Sequence, residues 1–288
     1  KICLIDDGTP LHSRAFEVDR SYRFKKGSGL PVRIPVVEMV EIGAGGGSVA
    51  KVDSLRRVHV GPESAGSEPG PACYGRGGLA ATVTDADAML GRLSKNHFAG
   101  GKFELDVEAA NKAVEEAVCK PLQLDPLQGA FTVSEIVEEN MASAARAHAS
   151  EWGLDLGSRT MIAFGGAAPL HAVSLARKLK IDRVIVPTGA GVGSAIGFLI
   201  APIKFEVVRS EYVMLSRLNR RRIGELISEM RAEATAVIAD TGVTAAVTEK
   251  ISAYMRYAGQ GYEVAVAIDI EHISETRLAR SFEVAYQQ

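Results

Sequence analysis

Residues 161–181, MIAFGGAAPLHAVSLARKLKI, constrain the fold more than any other stretch of this chain. An apolar run from Met161 to Phe164 meets two glycines and a proline, continues at helical spacing, and is followed by a second apolar run, RVIVP. That order predicts a strand, a helix and a second strand, and the near-continuous apolar character of the strands predicts a sheet buried on both faces. Pro169 suits the first helical turn, where its missing N–H would have no helical partner. Gly165 and Gly166 carry no Cβ, so a flat or bulky ligand could approach the main chain there. First-turn amides add a partial positive charge worth about 0.3–1 kcal/mol to an anion. In an open α/β sheet the carboxyl ends of strands are where ligands settle. The same bareness also suits plain close packing of helix on strand, with His171 as a hydrogen-bonded histidine of the first turn. Neither GxGxxG nor a glycine loop ending in Gly-Lys-Ser/Thr is matched, so the segment implies no dinucleotide fold and no lysine-bearing phosphate loop.

Around this unit the chain changes character. Residues 1–60 read as β-rich, with KICLI, AFEVDRSYRF, PVVEMVEI, SVAKVD and RRVHVG separated by turn residues, the first turn at Asp7-Gly8. Residues 61–80, rich in glycine and proline, read as a long functional loop. Helices are expected after Thr84 or Asp85 as a cap, through LDVEAANKAVEEAVCKPL, and from Ser134 to about Trp152. Beyond Pro202 a charged helix from about Asn219 to Asp240, the strands ISAYMRYAG and YEVAVAI, and a final helix predict a smaller α+β lobe. The expected division is therefore residues 1–203 and 204–288.

Composition removes several function classes. With 33 basic against 35 acidic residues and no basic cluster interleaved with aromatics, a nucleic-acid groove is not expected. No apolar run approaches the ~20 residues of a membrane span, and the start has no signal-peptide order, so a soluble cytoplasmic protein is the expectation. Cys3, Cys73 and Cys119 form no CxxC pair, and the six histidines show no HxH or HExxH spacing. Neither a disulfide framework nor a histidine-built metal site is expected. The chain opens inside a strand pattern and stops inside a helical one, as a piece of something longer would.

Further candidates lie outside the central unit. Gly43, Gly45, Gly46, Gly47 and Ser48 connect two strands, a loop whose amides could nest an anion or a carbonyl oxygen, or a ligand-free hairpin. Asp85 and Asp87, two residues apart, do not share a helix face; Asp85 suits capping, with a Mg²⁺-water or substrate role also open. Cys73 has no adjacent base to activate it and reads as a buried thiol. Arg256 and Gln260, in MRYAGQGYEV, sit at a strand–turn–strand in which Gly259 and Gly261 relieve the backbone.

Taken in order, EIGAGGGSVAKVD, VGPESAGSEPGPACYGRGG, TVTDADAMLGRL, FGGAAPLHA, VPTGAGVGSAIGFL and MRYAGQGYEV resemble the hydantoinase A and 5-oxoprolinase (N-methylhydantoinase) family across nearly the whole chain. Ala168 stands where that family usually has glycine. The resemblance implies an α/β fold: an actin-like (ribonuclease H-like) ATPase lobe with a mixed sheet and flanking helices, followed by the smaller lobe. ATP would lie in a cleft between related lobes, with Gly165, Gly166 and Ala167 against the adenosine and the helix around Asn140 and Ser143 as another wall. Mg²⁺ is implied as the companion of ATP. The implied reaction is ATP-dependent hydrolysis of a cyclic amide, a hydantoin or 5-oxoproline-like lactam, through phosphorylation of its carbonyl oxygen. Substrate contacts are expected from Gly45, Gly46, Ser48, Arg256 and Gln260, and catalytic roles from Asp85 and His171. A hydantoinase B-like subunit or domain is the implied partner. A subunit of an acetone- or acetophenone-type ketone carboxylase, and a nucleotide-binding module without chemistry of its own, are the alternatives. The family's glycine- and threonine-rich phosphate motifs do not occur in this sequence. A fragment lacking the N-terminal lobe is expected, with weak ATP binding and no turnover alone.

Overall fold

The structure, a computed structural model, describes residues 1–13, 15–19, 21–22, 27–32, 34–242, 244 and 246–287. These form two compact units, Lys1–Leu199 and Ile200–Gln288.

The first unit opens with short antiparallel ladders. β1 (Ile2–Cys3) pairs with β8 (Met39–Val40), β4 (His12–Ser13) with β7 (Val36–Val37), and β5 (Phe16–Val18) with β6 (Leu30–Val32), so the chain runs out and folds back along itself. Between the first two ladders, β2 (Ile5–Asp6) turns directly into β3 (Thr9–Pro10) through Asp7 and Gly8, both at positive φ. That is the backbone a type I′ hairpin requires, and Asp-Gly is the pair that supplies it. The expected strand over residues 15–24 is interrupted: only Phe16–Val18 is extended, and residues 20, 23 and 24 lie outside the described residues. β9 (Ser48–Val52) and β10 (Val58–Ser64) then form the longest antiparallel hairpin of the unit.

Helices cover this hairpin. α1 (Val83–Met89) is capped by Thr82 rather than by Thr84 or Asp85. Asp85 is instead the N3 residue of a capping box, accepting from the Thr82 amide while its own amide donates to Thr82 Oγ1. α2 (Val107–Val114) runs through a π-helical turn at Glu115–Cys119 into the short α3 (Lys120–Leu122), where Gln123 takes a left-handed conformation and ends it.

α4 (Pro126–Glu151) begins two turns before the expected Ser134, because Asp125 and Gln128 form a reciprocal capping box with Pro126 at the first helical position. Its buried stripe carries Ala130, Val133, Val137, Met141 and Ala144 into a core shared with Val83, Ala86, Val114, Val118 and Val60. Small residues on α4 let its neighbours approach closely, and each buried valine or methionine contributes roughly 1.5–3 kcal/mol by leaving water.

β11 (Thr160–Ile162), α5 (Ala168–Leu179) and β12 (Arg183–Ile185) are the expected strand, helix and strand, and the two strands are parallel. The expectation of burial on both faces does not hold: Ile162 and Ile185 remain about half exposed, at 51% and 45%. α4 and α5 cover one side through Ala142, Ala145, Ala176 and Leu179, and two strands offer no second layer of their own. α6 (Gly193–Ile200) follows, with Phe198 and Leu199 exposed.

In the second unit, α7 (Arg220–Asp240) is capped by Asn219, β13 (Ser252–Met255) pairs with β14 (Val264–Ala267) antiparallel, and α8 (Glu275–Gln287) packs on β14. Tyr257 meets Phe282 and Tyr286 edge-on, and Phe282 and Tyr286 are tilted against each other, with centroids 4.9–5.5 Å apart. No helix among the described residues is long and apolar enough to cross a membrane.

Candidate functional site

Two glycine-bearing turns leave the carboxyl ends of the parallel strands side by side. After β11 the chain passes Gly165, whose φ of +102° no residue with a Cβ adopts readily, and its amide donates to Ala190 O at 2.7 Å. Ala190 belongs to the turn after β12, where Gly189 is at positive φ and Gly193 packs so closely on Phe164 that an added Cβ would lie 3.2 Å from it. Gly165 and Gly166 themselves border open space: a Cβ added at either would meet nothing within 4 Å. This is a bare main chain at the strand ends, as a nucleoside-sized ligand would need. α5 begins directly behind it, with Ala167 at the N-cap offering no side-chain acceptor to the first-turn amides.

The other glycine loop lies alongside but is built differently. A Cβ on Gly46 would be 2.5 Å from Thr84 Oγ1, and 3.8 Å from the Cβ of Ala167. Gly46 O accepts from the Thr84 amide at 2.8 Å, Gly47 O accepts from the Ala65 amide at 2.9 Å, and Ser48 Oγ accepts from the Gly45 amide at 3.0 Å. Ser48 is buried. Of the expected substrate contacts, then, Ser48 spends its hydroxyl inside the loop, and Gly46 is glycine because α1 leaves no room for more.

Both expected catalytic side chains point inward. Asp85 is fully buried and accepts from the Ala72 amide (3.3 Å), the Cys73 amide (2.7 Å), the Thr82 amide (2.9 Å) and Thr82 Oγ1 (2.7 Å). In the structure it is the acceptor that fastens the Gly- and Pro-rich loop to α1. Cys73, the thiol beside it, is buried, and burial together with the Asp85 charge pushes its pKa well up, so it is no nucleophile.

His171 is also fully buried and stands at the centre of a charge cluster. Its Nδ1 lies 3.1 Å from Glu138 Oε1, and its Nε2 lies 3.2 Å from Asp87 Oδ2, an ion-pair distance without hydrogen-bond alignment. Arg92 Nη1 reaches Asp87 Oδ1 at 3.1 Å, Glu138 Oε1 at 3.2 Å and Ser134 Oγ at 2.6 Å. Ser134 Oγ also donates to Glu138 Oε1 at 3.1 Å. Burial by itself lowers the imidazole pKa, but the two carboxylates outweigh it and raise the value to about 9. For Glu138, burial works upward while the His171 and Arg92 contacts work harder in the other direction, and its pKa is lowered. The ring is fully enclosed, with protein groups facing both nitrogens.

The remaining expected residues are dispersed. Asn140 Nδ2 donates to Val60 O at 3.4 Å on the hairpin side of α4, and Ser143 Oγ contacts Glu139 Oε1 at 3.5 Å. Arg256 donates to Gln260 O and lies over the Tyr212 ring, and Gln260 Nε2 bonds Tyr286 Oη at 2.6 Å, all within the second unit. Sequence reasoning set Asp87 aside as half of a carboxylate pair that shares no helix face, took Ser134 only as a helix start, and missed Arg92 and Glu138. The available signal was Glu138 itself, a carboxylate set in the apolar stripe of α4 one turn from Ser134.

Fold and site together define a mixed α/β protein with a glycine-bearing, open main chain at the ends of parallel strands. The hydantoinase/oxoprolinase family model matches residues 1–207, and the chain belongs to that family. It is 33% identical over 92% of its length to an uncharacterized protein of Methanocaldococcus jannaschii, and 30% identical over 89% to the caprolactamase subunit alpha of Pseudomonas jessenii. It is also 40% identical over 60% of its length to the acetophenone carboxylase gamma subunit of Aromatoleum aromaticum, covering 23% of that protein. Among solved structures, nucleotide-free acetone carboxylase superposes with a TM-score of 0.74 at 25% identity, over 89% of this chain and 38% of that one. The ATP-dependent caprolactamase of P. jessenii gives 0.68 at 28%, over 92% and 40%. The chain spans 39% and 38% of the lengths of the first two relatives.

Proposed function

We propose that this chain is part of the ATP-using subunit of a cyclic amide hydrolase, with its first unit forming one lobe of an actin-like ATPase. The observation that carries the reading is the open space over Gly165 and Gly166 in a chain whose family match runs from residue 1 to 207. The residues fit a nucleotide there: Gly165, Gly166 and Ala167 would lie against the adenosine, and the amide end of α5 would face negative charge. Asn140 and Ser143, half-buried on α4, are proposed as a further wall. ATP, when bound, supplies phosphoryl transfer to the amide oxygen, which turns an unreactive lactam carbonyl into an electrophile with a leaving group. The chain's own residues position: Gly165 to Ala167 set the nucleoside, and Gly45 and Gly46 present backbone to the cyclic amide. Arg256 and Gln260 are proposed substrate contacts from the second unit. Mg²⁺ is proposed as the companion of ATP, held through the phosphates rather than by a protein cage. Relatives named as subunits support a partner subunit, proposed as hydantoinase B-like, and the remaining polypeptide is proposed to supply the N-terminal lobe.

A second reading, a subunit of an ATP-dependent ketone carboxylase, has its own support in the 40% identity to acetophenone carboxylase gamma and the 0.74 TM-score to acetone carboxylase. One experiment separates them. The complete protein with its partner is assayed for ATP hydrolysis against a panel of hydantoins, 5-oxoproline and larger lactams, and for bicarbonate-dependent consumption of ketones. Lactam-stimulated ATPase is expected; ketone consumption with no lactam response selects the carboxylase.

A further inference from the structure

The buried cluster around His171 is unusual for what it connects. Asp87 lies on α1, Glu138 and Ser134 on α4, and His171 in the first turn of α5, with Arg92 just past α1 bridging both carboxylates. Each ring nitrogen of His171 faces a carboxylate oxygen at 3.1–3.2 Å. A neutral imidazole has one N–H and would turn a lone pair toward one of those carboxylates, whereas an imidazolium donates a proton to Glu138 and sets its charge at ion-pair distance from Asp87, without hydrogen-bond alignment there. Charge counting agrees: two carboxylates against Arg92 alone would leave a buried net negative charge, and a protonated His171 cancels it. Arg92 Nη1, 3.3 Å from His171 Nδ1, converges with it on Glu138 Oε1, so both cations share one acceptor.

α1 also carries Thr84, three residues before Asp87 and therefore on the same helix face. The Thr84 amide holds Gly46 O, and Asp87 holds the ring of His171 behind the Gly165–Ala167 turn. One turn of α1 thus braces both glycine loops. The α5 start gains from such a hold, since Ala167 at the N-cap offers no side-chain acceptor to the first-turn amides.

We infer that Asp87, Glu138 and Arg92 grip His171 as a buried cation that positions the first turn of α5, and through it the Gly165–Ala167 turn, against the Gly43–Ser48 loop. These four are positioning residues that touch no substrate. The inference rests on the nucleotide reading for its ligand, though not for its geometry.

The test uses the complete polypeptide with its partner subunit, and ATP as the probe. His171→Gln leaves the cluster with an unbalanced buried charge and is expected to raise the KM for ATP about tenfold, with a smaller fall in kcat. Adding Asp87→Asn restores neutrality, and the double variant is expected to recover most of that loss; effects that add, or a double variant worse than either single one, would overturn the inference. Amide hydrogen exchange should quicken in residues 43–48 and 165–171 together in His171→Gln and slow again in the double variant, and unchanged exchange in both segments counts against it. Should the variants not fold, nitrogen chemical shifts of ¹⁵N-histidine in the wild-type protein decide: His171 is expected as an imidazolium near neutral pH, and a neutral ring refutes the proposal. If the wild-type protein binds no ATP, the functional reading fails by itself, while exchange and ring protonation still judge the brace.

Discussion

The Gly43–Ser48 loop and the Gly165–Ala167 turn look alike in sequence and differ in why they are glycine. In the first, Gly46 has Thr84 Oγ1 2.5 Å from where a Cβ would be, and Gly47 has Ser64 Oγ at 2.8 Å. In the second, nothing lies within 4 Å of a Cβ at Gly165 or Gly166. The protein's own packing requires Gly46 and Gly47 of the first loop, although Gly45 borders open space, whereas Gly165 and Gly166 of the second both leave a space that the described residues do not fill. Glycine content alone does not distinguish the two kinds, and openness gains meaning at Gly165 and Gly166 from their place at the carboxyl end of a parallel strand.

The largest effect that bears on this contrast comes from the start of α1, the helix that holds the first loop through Thr84. Asp85→Ala strips the common acceptor from three buried amides and the Thr82 hydroxyl. It is expected to destabilise by about 3–5 kcal/mol, seen as a lower urea midpoint in the complete protein. Recovery of wild-type stability would break the assignment of Asp85 as a structural acceptor.

His171 gives the next effect, and its sign follows from its raised pKa. With about 9 in the folded protein against an ordinary 6.5, its contribution is full below pH 6.5 and is lost as the pH rises through about 9. The contribution is on the order of 3 kcal/mol. Thermal unfolding should therefore lose more stability on going from neutral to alkaline pH in the wild type than in His171→Gln. Equal slopes would show the ring to be neutral when folded.

Smaller effects come from the glycines themselves. Gly46→Ala forces Thr84 aside and is expected to cost about 1–3 kcal/mol, measured by denaturant unfolding. Gly166→Ala adds a methyl to open space at ordinary φ and should change stability by no more than about 0.5 kcal/mol, while weakening ATP binding by the complete protein in calorimetry. A Gly166→Ala protein that is unstable, or that binds ATP as the wild type does, would erase the difference between the two loops.

Much of the framework was legible because it is local. Asp7-Gly8 specified its hairpin turn, the apolar runs on either side of PLHAVSLARKLK specified a parallel strand pair with a crossover helix, and Asn219 marked the start of α7. The cap of α4 was equally local, since Asp125, Pro126 and Gln128 spell a capping box, yet the amphipathic stripe drew attention to Ser134 instead. The site was harder to see. His171 and Asp85 stood out as polar residues among small ones, and their direction, inward rather than toward a ligand, could not be read from their neighbours in the chain.

What the sequence determined by itself was the family, the order of elements and the bare backbone after β11, since each depends on residues adjacent in the chain or on motifs in fixed order. Only the tertiary structure decided which glycines are enclosed and which are open, and that Asp87, Arg92, Ser134, Glu138 and His171 form one charge-balanced cluster. These residues are up to 84 positions apart, the span from Asp87 to His171. Burial and charge pairing depend on distance in space, and packing three helices against one another sets those distances.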